Sequence, residues 1–392
     1  MRSAFAVTFI SEDPFAAAFD LTSQIKKQLV PSKNSCAIFF AEEVFDLGQL
    51  GVELEKQLGF PVVGNTSTAQ ISHNGYHRLA ATLLVLTADD CNFGVALSPL
   101  FENDMAKAFQ EVSHVLGEQP PEVLFLFSTL SKDFMFDELI AKLSKVSANK
   151  PIFGGVASDY GSGEQTSVFW QGEVHQDSFL ILAVAGNIRP RFFLHNVHPD
   201  GMLHSTVTAS RAAEVISIDN LSVYEYLEKY GGDPSSTASL AFSPVCVDLG
   251  DGAEIGTKTL ARVFLKVDKE TGSGYTQSHI PKGSTVSFRM IDAGDIAESA
   301  GCLFKDVTDV CRAAKQGGVG YVYSTLFGVS CMARHLVMNF EFAIEGDLAK
   351  EILPSPLNFM AFYSYGEFCP ISIKNNRAEN RMHNLSLALC MF

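Results

Sequence analysis

Basic residues are scarce in this 392-residue chain, where 29 Lys and Arg stand against 44 Asp and Glu, a formal net charge of −15. Such a field repels phosphate backbones, which argues against nucleic acid as a partner. No apolar stretch reaches the roughly 18 residues needed to cross a bilayer. The opening MRSAFAVTFISEDPF has too short and too interrupted an apolar run for a secretory signal, so a cytoplasmic protein without membrane contact is expected. The eight cysteines include no C-x-x-C pair, and the closest two are Cys302 and Cys311. That pattern is neither a disulfide framework nor a zinc signature, and suits small buried thiols in a reducing compartment. G-x-S-x-G, Walker and H-E-x-x-H phrases are missing, so no enzyme is expected. Low-complexity tails and charge blocks are missing as well.

What is present is a core and a repeat. At 47% hydrophobic the chain can bury a large interior and is long enough for two domains. One phrase occurs three times: FPVVGNTSTAQIS at 60–72, KPIFGGVASDYGS at 150–162 and NFMAFYSYGEFCPIS at 358–372. In the first two copies an apolar run of strand length and an amphipathic stretch of helix length come before it, CAIFFAEE with Leu50, Leu54 and Leu58, and EVLFLFST with Leu139 and Leu143. VGYVYSTLFGVSCMAR opens the third, and NLSLALCMF closes it. A glycine inside each phrase predicts a sharp bend or a positive φ. The strand runs are nearly continuous Val, Ile, Leu and Phe, as in strands covered on both faces. The expected fold class is α/β (α+β): two domains of mixed β-sheets flanked by helices, built by internal duplication of a β-α-β-β unit.

Between the second and third units the pattern changes. RPRFFLHNVHPDGMLHSTVTAS passes from strand-like Phe and Leu into a His-rich Pro-Asp-Gly turn. SIDNLSVYEYLEKYGGDP reads as a helix with Asp219 or Asn220 as N-cap and a Gly-Gly stop, and the domain boundary is placed there, giving 1–220 and 221–392. The segment from 294 to 318 is the longest helical pattern, with Phe304, Val307, Val310 and Cys311 on one face.

The phrases PIFGGVASD, VTASRAAEVISIDNLSVYEYLEKY, IPKGSTVSF, FGVSCMAR and FYSYGEFCPI…RMHNLSLAL, in that order, resemble the FIST sensory domain with its N-terminal and C-terminal halves. The resemblance implies an intracellular ligand-sensing module coupled to histidine kinases, cyclic-dinucleotide enzymes or ubiquitin ligase subunits. No kinase, receiver, F-box or cyclase segment is attached, so the expected sensor reports in trans to a histidine kinase or cyclic-di-GMP enzyme. A homodimer is compatible with this layout. Length, layout and a histidine cluster are also similar to the nitric-oxide-sensing haemoproteins called NosP, which implies haem b as cofactor and nitric oxide as ligand.

Three residue sets could carry such functions. Haem iron needs an axial donor facing an apolar slot. His204, after Met202 and Leu203 and entering a β-branched run, is the first choice as iron ligand, with His198 in reserve; hydrogen-bonded loop histidines are the plainer reading. Cys369-Pro370 offers a thiolate, but its proline falls where the family's turn already has one. Arg334 and Glu367, near strand ends with Cys331, could hold the carboxylate and amine of an amino acid, or could pair internally. A nucleophilic Cys331 would need His335 or His383 within hydrogen-bond reach, and nothing in their spacing supports it.

Overall fold

The computed structural model describes residues 1–32, 34–99, 105–117, 119–131, 135–160, 163–197, 203–249, 254–256, 258–316 and 322–392. The first unit contains β1 (Arg2–Thr8), α1 (Pro14–Gln28), β2 (Ser35–Ala41), α2 (Leu47–Leu58), β3 (Val62–Thr66), the hairpin β4 (Gln70–Ser72) and β5 (Gly75–His77), and β6 (Ala81–Thr87). The second repeats it as β7 (Cys91–Pro99), α3 (Met105–Leu116), β8 (Pro121–Ser128), α4 (Phe136–Val146), β9 (Ile152–Val156), the hairpin β10 (Val168–Trp170) and β11 (Glu173–His175), and β12 (Ser178–Gly186). A third unit starts with β13 (Arg191–Asn196) and is then interrupted.

The interruption holds β14 (Leu203–Arg211), β15 (Glu214–Ile218), β16 (Leu221–Ser222), α5 (Val223–Lys229), α6 (Thr237–Ala241), β17 (Val245–Asp248), β18 (Thr259–Arg262), β19 (Lys266–Val267), β20 (Gly274–Tyr275) and β21 (Thr285–Phe288). These strands form their own eight-stranded antiparallel sheet over a core that includes Val207, Tyr226 and Phe264. The third unit resumes with α7 (Ala293–Gln316), β22 (Thr325–Cys331), α8 (Met332–Val337), α9 (Ile344–Ile352), β23 (Asn358–Ser364), the hairpin β24 (Glu367–Lys374) and β25 (Arg377–His383), and β26 (Ser386–Met391). Among the described residues no helix is long and apolar enough to cross a membrane.

The three remaining sheets share one plan. Their unit strands run in the orders β1-β6-β2-β3, β7-β12-β8-β9 and β13-β26-β22-β23. The pairs β2–β3, β8–β9 and β22–β23 are parallel, and the rest of each sheet is antiparallel. Each sheet is completed by a hairpin from a different unit. The first unit's β4–β5 pairs with β23, the second's β10–β11 with β3, and the third's β24–β25 with β9. The repeated phrase therefore does more than turn: it carries the chain across to the next sheet, closing a cyclic exchange.

Side-chain alternation explains why the strand runs are so apolar. On β2, Cys36, Ile38 and Phe40 face a central core shared by all three sheets, while Ala37, Phe39 and Ala41 face the helices of their own unit. The central core is aromatic, with Phe40 stacked on Phe362 at 4.2 Å and edge-on to Phe127 at 6.0 Å. Each such ring buried contributes about 1.5–3 kcal/mol. Gly154 sits inside β9 rather than in a turn, at φ 143°, and a Cβ there would strike the Leu126 carbonyl. The first phrase's Gly64 also lies within a strand, where a Cβ would strike the Phe39 ring.

One sequence expectation changes. Asp219 and Asn220 are not the N-cap of α5; both take positive φ in the β15–β16 turn, and Ser222 caps the helix in a capping box with Glu225. Three of the four sheets combine strands from both sides of residue 221.

Candidate functional site

The three copies of the phrase converge at one end of the molecule. At the C-terminal ends of β3, β9 and β23 their backbones are laced together: Ser158 N donates to Thr66 O at 3.2 Å, Val156 N to Gly366 O at 2.9 Å and Tyr363 N to Ala69 O at 3.1 Å. Hydroxyls tighten the seam, with Ser158 Oγ donating to Tyr363 O at 2.7 Å and Thr68 Oγ1 donating to Ser158 Oγ at 2.9 Å. Asp159 accepts from the Tyr365 hydroxyl at 2.6 Å and from Gly163 N and Gln165 N.

A polar cluster built from all three units surrounds this seam. Glu42 follows β2 and is 1% exposed. It accepts from Ala80 N at 3.0 Å and from the Tyr160 hydroxyl at 2.8 Å. Arg78, after the exchanged hairpin, donates Nε to the Tyr160 oxygen at 3.1 Å and lies over the Tyr160 ring. Tyr76 of the same hairpin shares a 2.9 Å hydrogen bond with His335 Nε2, and His335 stacks on Phe342 at 4.3 Å. Arg78 and Tyr160 are exposed, so the cluster opens to solvent.

Electrostatics mark the same residues. Burial raises Glu42 to about 7, although the Tyr160 hydroxyl, the Ala80 and Leu79 amides and Arg78 all favour its charged form. Burial lifts Tyr76 to about 12 and lowers His335 to about 4, keeping that imidazole neutral. Tyr160 is raised by burial and by its bond to Glu42, so it stays a phenol. Because its proton goes to Glu42, its oxygen is left as an acceptor.

The residues expected from sequence are differently placed. Arg334 is buried against Glu345 at 2.6 Å, both fully inaccessible. Its other nitrogens reach Ser299 Oγ at 3.0 Å, Ile296 O at 3.2 Å and Leu385 O at 3.5 Å, while Ser330 and Tyr363 hydroxyls donate to Glu345. The internal pair is real, but its acid is Glu345 and not Glu367, and it leaves no open fork for a ligand carboxylate. Glu367 is fully buried, accepts from Ser386 Oγ at 2.7 Å and from the Cys331 thiol, and is raised by burial to about 8.

His204 is exposed on β14 with Nδ1 3.2 Å from Ser287 Oγ, its partner across the ladder. His198 and Met202 lie outside the described residues. An exposed, hydrogen-bonded imidazole on a sheet surface does not fit an axial haem ligand. Cys369 fits no better as a thiolate, since it is fully buried and burial raises it strongly. Among the described residues no group of three or more His, Cys, Asp or Glu could hold a metal ion. Cys331 bonds to Glu367, while His335 goes to Tyr76 and His383 to Cys369 O, so the described hydrogen bonds join neither imidazole to that thiol.

Glu42, Arg78, Tyr76, Tyr160 and Glu345 carry no motif that singles them out in the sequence. The usable signal is positional: Glu42 follows a parallel strand and Tyr160 lies near the end of the second phrase, at the strand ends where α/β proteins gather sites.

The FIST N domain model matches residues 35–221 and the FIST C domain model residues 221–370. No curated protein matches the chain. Two solved structures are similar in part. One is described as "Cyanuric acid hydrolase: evolutionary innovation by structural concatenation", at 10% identity, 64% of this chain, 83% of that chain and a TM-score of 0.28. The other is the cyanuric acid hydrolase from A. caulinodans, at 7% identity, 99% of this chain, 98% of that chain and a TM-score of 0.34. The chain belongs to the FIST family, whose domains are small-ligand sensors in signal transduction.

Proposed function

We propose that this chain senses a small carboxylate-bearing molecule, with amino acids as the leading class, at the seam where its three units meet. The observation that carries the reading is the chain of contacts from buried Glu42 through Tyr160 to exposed Arg78. Arg78 offers a fork for a carboxylate, and the Tyr160 oxygen offers an acceptor for an ammonium. Tyr76 and the His335–Phe342 stack provide an aromatic wall beside them. Units that exchange hairpins at this seam would feel any shift in it, so ligand binding there can bias the packing of all three sheets. The report would pass in trans to a separate signalling protein, a histidine kinase or cyclic-di-GMP enzyme, in the cytoplasm. All eight cysteines are free thiols, which suits a reducing compartment.

The test is a thermal-shift panel of amino acids on the full chain. Stabilisation by one class, lost in Arg78→Ala, is expected from mass action on the folded state. No shift at saturating concentrations across the panel would overturn the amino-acid assignment.

A further inference from the structure

We propose that the surface formed by the segment after β1 and the first turns of α1 docks a basic amphipathic helix of a partner protein. Within residues 9–19 four large apolar side chains face solvent: Phe9 at 61% exposure, Ile10 at 41%, Phe15 at 56% and Phe19 at 60%. A single exposed leucine or phenylalanine is ordinary, but a run of this kind with three aromatics marks an interaction surface. Phe15 and Phe19 are four apart on α1 and so share its outer face. The inner face, Ala17, Ala18, Leu21 and Ile25, is already used in the core.

Charge selects the occupant. Glu12 and Asp13 are exposed between the two halves of the apolar run, Asp20 follows it, and the whole chain carries −15. Asp13 is already the N-cap of α1, accepting from Phe15 N at 2.9 Å and Ala16 N at 3.2 Å, so the helix terminus needs no outside anion. Lys26 and Lys27 lie at the far end of the helix, beyond the aromatic turns. A second copy is disfavoured: a two-fold contact would set the same acidic residues against each other. A helix with an apolar stripe flanked by Lys or Arg satisfies both features at once. The surface also adjoins the sensing hairpin, since the Phe9 ring meets His77 at 6.1 Å and His77 precedes Arg78. Docking itself does not depend on which ligand, if any, binds beside Arg78.

The experiment uses fluorescence anisotropy of a labelled amphipathic helical peptide made of leucine and lysine, titrated with the full chain. Controls are a scrambled peptide of the same composition and the same helix with glutamate in place of lysine. The wild type should bind the amphipathic basic peptide, and Phe15→Asp/Phe19→Asp should weaken it at least about tenfold. Its thermal midpoint should be unchanged, because both rings are exposed. Glu12→Lys should weaken binding without touching the aromatic residues. Equal binding of the scrambled peptide, or undiminished binding by the double variant, would overturn the proposal. So would a wild-type dimer in sedimentation that the double variant dissolves, because the occupant would then be a second copy. Loss of amino-acid sensing in Arg78→Ala with peptide binding intact would separate this surface from the ligand seam.

Discussion

The Tyr160 hydroxyl donates to Glu42 Oε2 at 2.8 Å, joining the end of the second repeated phrase to the end of the first unit's central strand. This bond ties a buried acid to an exposed cation through a phenol, so a change at any one of the three reaches the other two.

Stability should fall as Glu42 ionises. Its value is raised from 4.5 to about 7 in the fold, so the folded state holds the proton more tightly than the unfolded chain. The contribution is fully present below pH 4.5, is lost as pH rises through about 7 and is level above that. Glu367, raised from 4.5 to about 8, extends the same trend to higher pH. Relative to Glu42→Gln, the wild type should lose on the order of 2–3 kcal/mol across this window, measured by urea unfolding as a function of pH. A difference that stays constant with pH would refute the assignment.

Tyr160→Phe should push Glu42 higher still. The hydroxyl favours the charged carboxylate, so its removal leaves burial less opposed. The protonated-carboxyl infrared band assigned by loss in Glu42→Gln should persist to higher pH in Tyr160→Phe. An unchanged midpoint would mean that the hydrogen bond does not act on the acid.

Arg334→Met alone should cost about 3–5 kcal/mol by leaving Glu345 buried without its partner. Arg334→Met combined with Glu345→Leu should recover most of that loss, because the paired charges contribute little beyond an apolar replacement of similar volume. Urea midpoints of the two variants decide it. A double variant as unstable as the single one would show that the pair has a further role.

Gly154→Ala should destabilise by more than about 1 kcal/mol, since φ 143° strains any side chain and the Cβ would meet the Leu126 carbonyl. As Gly154 lies between Leu126 of β8 and Phe368 of the exchanged hairpin, hydrogen exchange should quicken in β8 and β24 before the other sheets. Uniform loss of protection would contradict that placement.

How much of the fold and site is legible in the sequence depends on range. The helix over α7 and the strand runs follow from local periodicity, and the three glycine phrases mark where the units join. The hairpin exchange does not show, because Gln70 and Phe362 are ladder partners with nothing in either phrase to record it. Arg334 reads as a candidate for an internal pair, but Glu345 does not, because its carboxylate is delivered by α9, a separate helix that packs on α7 and on the β4–β5 hairpin. His204 reads as a pocket residue from its β-branched neighbours, yet the sheet's alternation turns its side chain to solvent. Glu42, Arg78 and Tyr160 come together only through folding, from three segments with no shared motif.

The most direct test of ligand sensing at the seam is calorimetric titration of the best-stabilising amino acid, below and above the Glu42 value of about 7. Ionised Glu42 holds the Tyr160 proton and makes its oxygen a better acceptor, so affinity should rise with pH in the wild type. It should be flat in Glu42→Gln and lost in Arg78→Ala. Affinity that is independent of pH and unchanged in both variants would contradict the account.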